Sequence, residues 1–198
     1  MAGGELHWRS ARWVASAVLA VTVLIGVDAV GANAAVIDRD HYSGTDAYSQ
    51  DDCGFQIDAQ VTFSGVAALR VGKHDEASAF YLHDNYEYAE IDTNHETGQW
   101  FIVRGNGNLK ETKATPLGGN LFEFDSIEAG QPFTIEDSAG NIVIRDRGSI
   151  RRRIVFDTGG DDQPGGQFVE DLGSTVHGPH PGFFVDFCDV ARSLIGTP

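Results

Sequence analysis

Among the residues of this chain able to do chemistry, the run from Arg145 to Arg153 stands apart. It concentrates Arg145, Arg147, Arg151, Arg152 and Arg153 in a strongly acidic sequence. Read as a strand from Ile150 to Phe156, it turns Ile150, Arg152, Ile154 and Phe156 to one face and Arg151, Arg153 and Val155 to the other. The outward arginines form a solvated face that pairs with local Asp and Glu and discourages edge pairing. An inward guanidinium is different, because burying a charge without a partner is costly. Asp84 shows the mirror pattern, polar among Phe80, Leu82, Tyr86 and Tyr88. Arg152 is therefore expected to line an interior and to meet either Asp84 or the carboxylate of a bound ligand. With Tyr81, Tyr86, Tyr88 and Trp100 as walls, the chemistry is recognition of a small, partly apolar molecule.

Other motifs are louder and carry less. Ile154 to Gly159 (IVFDTG) resembles the active-site turn of aspartic proteases, where an Asp after a hydrophobic strand activates water with a symmetry mate. Those enzymes continue with Ser, Thr or Ala and then apolar residues. Here the polar GDDQPGG follows and the sequence holds no second copy, so the motif reads as a strand-ending turn. Asp157, Asp161 and Asp162 are hard oxygen donors suited to calcium, but the alternating EF-hand spacing is absent and the loop reads as solvated. His177 and His180 form a close pair whose intervening Pro179 forbids a regular helix bearing both, and two further metal ligands would have to come from elsewhere. Ser64-Gly65 and Ser138-Ala139-Gly140 lack the Gly-x-Ser-x-Gly elbow of a serine nucleophile. Paired-carboxylate chemistry stays open, since spacing alone does not decide which acids meet. No catalytic residue, metal ligand or cofactor is assigned on these grounds.

Composition narrows the classes. The 198 residues include 14 Lys+Arg against 29 Asp+Glu, a formal charge of −15. Such a chain lacks the basic face that nucleic acid requires, and it is repelled by anionic membranes. At 41% hydrophobic it has material for one core. The first 34 residues read as a secretory signal: Arg9 and Arg12, then the apolar stretch Trp13 to Val27, then small residues closing at Ala32-Asn33-Ala34. Cleavage is expected after Ala34, with Ala32 and Ala35 as alternatives, leaving no stable membrane insertion and an extracellular protein. Arg9 and Arg12 balance Glu5 and Asp28, so the whole charge stays with the exported part. Its two cysteines, Cys53 and Cys188, are expected to pair in an oxidising compartment and tie the ends of the fold together, worth about 2–4 kcal/mol.

The elements that position these groups read as strands. Residues 35–52 are polar, acidic and without period, and are expected to be a flexible linker before a domain spanning 53–198. Phe55 to Ser64 alternates strictly, Gly65 marks an expected bulge, and Ala67, Leu69 and Val71 resume the phase. Ala79–Ile91 and Gln99–Arg104 follow, then a hairpin at Asn106-Gly107 and a polar strand from Asn108 to Ala114. Leu121–Ser126, Gln131–Glu136, Asn141–Phe156 (broken at Gly148) and Gln167–Val176 complete the set, with turns at Leu117–Asn120 and Asp137–Gly140. A single helix is expected from Phe184 to Ile195, with Asp186 near its start and Gly196 just beyond. The fold class is all-β: an antiparallel barrel, or a sandwich, of roughly eight strands with a short C-terminal helix and one disulfide.

The order of these features resembles a group of small secreted all-β proteins of high-GC bacteria. The signal, the Asp52-Cys53-Gly54-Phe55 segment before the first strand, Asn-rich turns and the late Asp186-Phe187-Cys188-Asp189 helix carry the resemblance, as does the excess of Arg over Lys. The group brings no active site to carry over. The function expected is a non-catalytic secreted protein that binds a small ligand in a barrel interior or mouth. The alternatives are an extracellular protein–protein interaction module and a hydrolase or isomerase with its site in a barrel mouth. The candidate binding residues are Arg152, Asp84, Tyr86, Tyr88 and Trp100.

Overall fold

Alternation of side chains governs the molecule. A computed structural model describes residues 36–72, 79–160 and 163–196; the expected signal, Asp161 and Asp162 lie outside them. The described strands are β1 (Val36–Gln50), β2 (Ile57–Val71), β3 (Phe80–Asn94), β4 (Trp100–Gly118), β5 (Leu121–Asp137), β6 (Ile142–Arg145), β7 (Gly148–Asp157) and β8 (Gln167–His177), followed by helix α1 (Phe187–Ile195). All belong to one antiparallel sheet in the order β1-β2-β3-β4-β5-β7-β8, with β6 also on β5. β6 and β7 are one interrupted strand. β6 pairs with the far end of β5 and β7 with its first half, and the break falls just before Gly148, whose positive φ and close approach to His177 admit no side chain.

The architecture is the all-β, antiparallel one that the alternation predicts, with three differences. Residues 36–50 are not a linker. They pair with β2 along its whole length as an edge strand, with inward Asp38, Asp40, Tyr42, Gly44 and Gln50 part-covered and the other residues exposed. An edge strand needs no apolar face, so hydrophobic periodicity was absent where pairing was present. Gly65 makes no bulge and Asn106-Gly107 makes no hairpin: β2 keeps its register with β1 and β3 through Gly65, and β4 runs on past Gly107. Among the described residues the edges β1 and β8 do not pair with each other, so hydrogen bonding leaves the sheet open rather than closed into a barrel.

One face of the sheet, the inner face, carries the core. Cys53, Ile57, Phe101, Val103, Ile135 and Ile144 pack with Ala191 and Ile195 of α1 at one end, while Ala79, Ala114, Phe122 and Phe124 pack at the other. Phe101 is wholly buried, worth about 2–3 kcal/mol by its apolar area alone. Nine residues of helix are too few to persist alone, so α1 depends on its attachments. The Asp186 side chain caps it by accepting from the Cys188 and Asp189 amides, and Cys188 is bonded to Cys53 across 4.9 Å between Cα atoms. The Phe187 ring lies 5.9 Å from Phe101, and Asn94 Nδ2 donates to the Ile195 carbonyl at 2.7 Å. Asn94 also accepts from the Glu96 and Thr97 amides, so one buried side chain joins the β3–β4 turn to the helix end.

Candidate functional site

Between the two apolar clusters the inner face changes chemistry. Residues opposite one another in an antiparallel pair share a face, so the register places Tyr42, Asp46 and Tyr48 of β1 with Phe63 and Gly65 of β2. The same register carries on to Asp84, Tyr86, Tyr88, Glu90 and Asp92 of β3, then to Gly105, Gly107 and Leu109 of β4 and Glu128 of β5. The tyrosines lie down across the sheet instead of standing up from it. Tyr42 passes over Gly65 and donates to both oxygens of Asp84 at 3.0 and 2.9 Å; Tyr48 donates to Glu90 at 2.8 Å; Tyr86 passes over Gly107 and donates to Glu128. Tyr88 passes over Gly105 to the Pro132 carbonyl at 3.1 Å and stacks on Tyr86 with centroids 6.4 Å apart. Each bond skips a strand. Adjacent strands are about 4.8 Å apart, so a phenol laid flat reaches the second neighbour only if the strand beneath it offers no bulky side chain. That is the role of the glycines beneath Tyr42, Tyr86 and Tyr88, and of the small Ala59 opposite Tyr48. A Cβ on Gly105 or Gly65 would collide with the Tyr88 or Tyr42 ring.

Burial sets the protonation of this band. All four phenols are pushed above their ordinary range, first by desolvation and then by the facing carboxylates, so they remain donors. Burial raises Asp84, opposed by the Tyr42 bond. Glu90 is raised by burial, and Asp92 by burial and then by the charge of Glu90 two residues away. Burial also pushes Glu111 up to about 7 against the Leu82 amide that it accepts. Asp92 is completely buried, and among the described residues its carboxyl meets no donor but the carboxyl of Glu90, with which it shares a hydrogen bond when one of the two is protonated. Gln50, the inward residue after Tyr48 on β1, has a buried Nε2 without a partner among the described residues. The arrangement can hold protons, present aromatic faces and concentrate negative charge.

The structure brings together only part of the set read from the sequence. Asp84, Tyr86 and Tyr88 share the inner face of β3, as the alternation requires. Arg152 is inward too, opposite Ser126 and Ser174, but Asp84 is held by Tyr42, and among the described residues Arg152 forms no ion pair. Trp100 is opposite Thr93, on the outer face and 40% exposed, away from the tyrosines. Tyr81 packs against Phe124 in the second apolar cluster, where its hydroxyl accepts from the Ala114 amide. Outward Arg153 pairs with Glu123 and Asp125, as an exposed basic face should.

The sequence reading missed Tyr42 and Tyr48, which fall in the supposed linker, and Glu90, Asp92, Glu111 and Glu128. A signal was present: Glu90 and Asp92 continue the phase of Tyr86 and Tyr88. Asp157 accepts from the Gly159 amide in a turn closed by Thr158 on Asn120, which is a structural use of the Asp-Thr-Gly motif. His177 ends β8 exposed, whereas the His180 side chain is buried with Nδ1 3.8 Å from Asp146. Among the described residues no group of three or more His, Cys, Asp or Glu is arranged to hold a metal, and no helix is long and apolar enough to cross a membrane. The disulfide is consistent with an extracellular or otherwise oxidising compartment. No family model, no curated protein and no solved structure matches this chain.

Proposed function

We propose that this is an exported, non-catalytic protein that binds a small, partly apolar molecule on the inner face of its sheet. One observation carries the reading: Phe63, Tyr86 and Leu109 face inward yet are only half-buried, in a band whose other side chains are phenols and carboxyls. Apolar groups that point inward and still reach solvent are what a ligand wall requires, and the fixed phenols supply the few polar contacts that orient a ligand. Arg152 on the same face remains available for a carboxylate at the β7 side.

The test uses Nile red, a neutral dye, with mass spectrometry under native conditions on protein recovered from culture medium. Saturable blue-shifted emission that Leu109→Asn weakens several-fold, or a retained mass, supports the reading. Unchanged emission and a bare protein mass sink it.

A hydrolase or isomerase would draw on the same raised carboxyls. Against it, Asp92 is sealed from solvent and Glu90 is covered by Tyr48, so neither meets a substrate. An interaction module would instead use Phe184, 75% exposed beside Phe183, with the edge residues Phe168 and Val169. Light scattering with and without Phe184→Ser distinguishes it, because a self-associating or partner-binding patch changes the mass or the pull-down.

A further inference from the structure

We infer that the loop joining β8 to α1, from Gly178 to Asp186, is a pH-sensitive strap, held against the inner face by a proton that His180 and Asp146 share. The inference is independent of the proposed ligand. The loop contains a short 3₁₀ turn (Pro181–Phe184) and packs on Phe133 and Asp146. The Arg147 amide donates to the Pro179 carbonyl at 2.8 Å, and the Gly182 amide donates to Asp146 Oδ1 at 2.7 Å. Gly182 is seated so closely that a Cβ there would stand 2.7 Å from the Phe133 ring and 2.8 Å from Asp146 Oδ2. The His180 side chain is wholly buried with Nδ1 3.8 Å from Asp146 Oδ2, and neither ring nitrogen has another partner among the described residues. Beyond these ties the strap presents Phe183 and Phe184 to solvent.

Burial fixes how many protons the closed strap carries. A carboxylate beside a neutral imidazole leaves a buried negative charge, and a carboxylic acid beside an imidazolium leaves a buried positive one. The pair is neutral with one proton between these extremes, whichever group holds it. Burial raises Asp146, opposed by the Gly182 amide and by His180, so the closed pair keeps that proton above the ordinary carboxyl range. With the strap open and both groups in water, the same state persists only from about pH 4 to about pH 6.5. Closing is therefore favoured most in that interval. Above it closing takes up a proton, so closure weakens about ten-fold per pH unit until the buried pair ionises. Charges on the neighbouring elements do not take the place of the proton. Tyr88 of β3 stays a neutral donor to Pro132, Phe133 of β5 is uncharged, and Arg145 is opposite Thr134 on the outer face. Arg147 and His177 are exposed, and Asp186, the other titratable residue of the strap, caps α1.

Amide exchange followed by NMR on the Gly182 and Arg147 amides, each rate divided by the intrinsic rate at that pH, tests this. Their protection is expected to be level from about pH 5 to about pH 6 and to fall at least about ten-fold by about pH 8. Asp146→Asn still accepts the Gly182 amide but carries no charge, so its protection is expected to stay level from about pH 6.5 to about pH 8. His180→Gln leaves Asp146 to titrate alone and is expected to move the fall down to between about pH 4 and about pH 6. The Val190 amide, which donates to the Asp186 carbonyl, reports whether each variant keeps its helix. Wild-type protection that stays level to about pH 8 overturns the inference. So does Asp146→Asn losing protection in parallel with wild type while Val190 stays protected. Should one variant fail to fold, the wild-type series and the other variant decide.

Discussion

Replacing Glu111 by Gln removes one ionisable group from the inner face without changing its shape or its ability to accept the Leu82 amide. Burial lifts this carboxyl from its ordinary 4.5 to about 7. The folded chain therefore holds the proton more tightly than the unfolded chain does. The stability Glu111 contributes is complete below about 4.5 and is lost as the pH rises toward 7, because the folded state must then carry a desolvated charge. The shift corresponds to about 3 kcal/mol at full value, and since the side chain is partly exposed we expect about 1–3 kcal/mol. Urea unfolding followed by circular dichroism should find wild type and Glu111→Gln equally stable near about pH 4, with the variant ahead by that margin near about pH 8. Taking the difference between the two proteins isolates Glu111, since Asp84, Glu90, Asp92 and Asp146 are raised in both and give both a background slope of the same sign. Exposed Asp58, lowered to about 2 by its bonds to Ser49, His95 and Gln56, acts oppositely and only in stronger acid. A stability difference that stays flat between the two pH values, or a variant weaker at the higher one, would refute the reasoning.

Other perturbations test the supports of the band. Asn94→Ala should cost about 2–4 kcal/mol in denaturant unfolding, since it frees the buried Ile195 carbonyl and the Glu96 and Thr97 amides together; a loss under about 0.5 kcal/mol contradicts that account. Gly107→Ala sets a methyl 2.9 Å from the Tyr86 hydroxyl and 3.0 Å from the Ala129 carbonyl and should destabilise by about 1–3 kcal/mol. Adding Tyr86→Phe should recover part of this in a double-mutant cycle, and strict additivity would mean the ring does not depend on that glycine. Exchanging both Cys53 and Cys188 for Ser should cost about 2–4 kcal/mol and loosen α1 first, visible as rapid amide exchange from Phe187 to Ile195.

Local rules reached a good part of this molecule. A side-chain period of two is a property of each strand alone, so the inward set Asp84, Tyr86 and Tyr88 could be read directly, as could the inward turn of Arg152; at the start of β3 it is Tyr81 that packs on the core. Helix α1 announced itself through Asp186 and its apolar stripe, and the turn at Asp137–Gly140 through its Asp and Gly, which the structure uses for an Asp137 side chain bonded to the Ala139 and Asn141 amides. The same rules failed wherever a residue served a neighbour outside its own strand. Gly65 and Gly107 look like interruptions in sequence because their reason is a phenol arriving from another strand. Val36–Gln50 looks like linker because its partner, β2, supplies the backbone bonds and the cover.

Residue order alone thus settles how side chains alternate along each strand, which cysteines exist to be joined and that the chain builds antiparallel sheet. Who meets whom across that sheet is settled by strand order and register. The Tyr42–Asp84, Tyr48–Glu90 and Tyr86–Glu128 bonds each span 42 positions and a whole intervening strand. Such contacts depend on strand order, register and the absence of a bulky side chain beneath the ring, three conditions that no short window of residues contains. That is why Arg152 and Asp84, complementary in charge and both inward, are not joined, while an apparent linker supplies the tyrosine that holds Asp84.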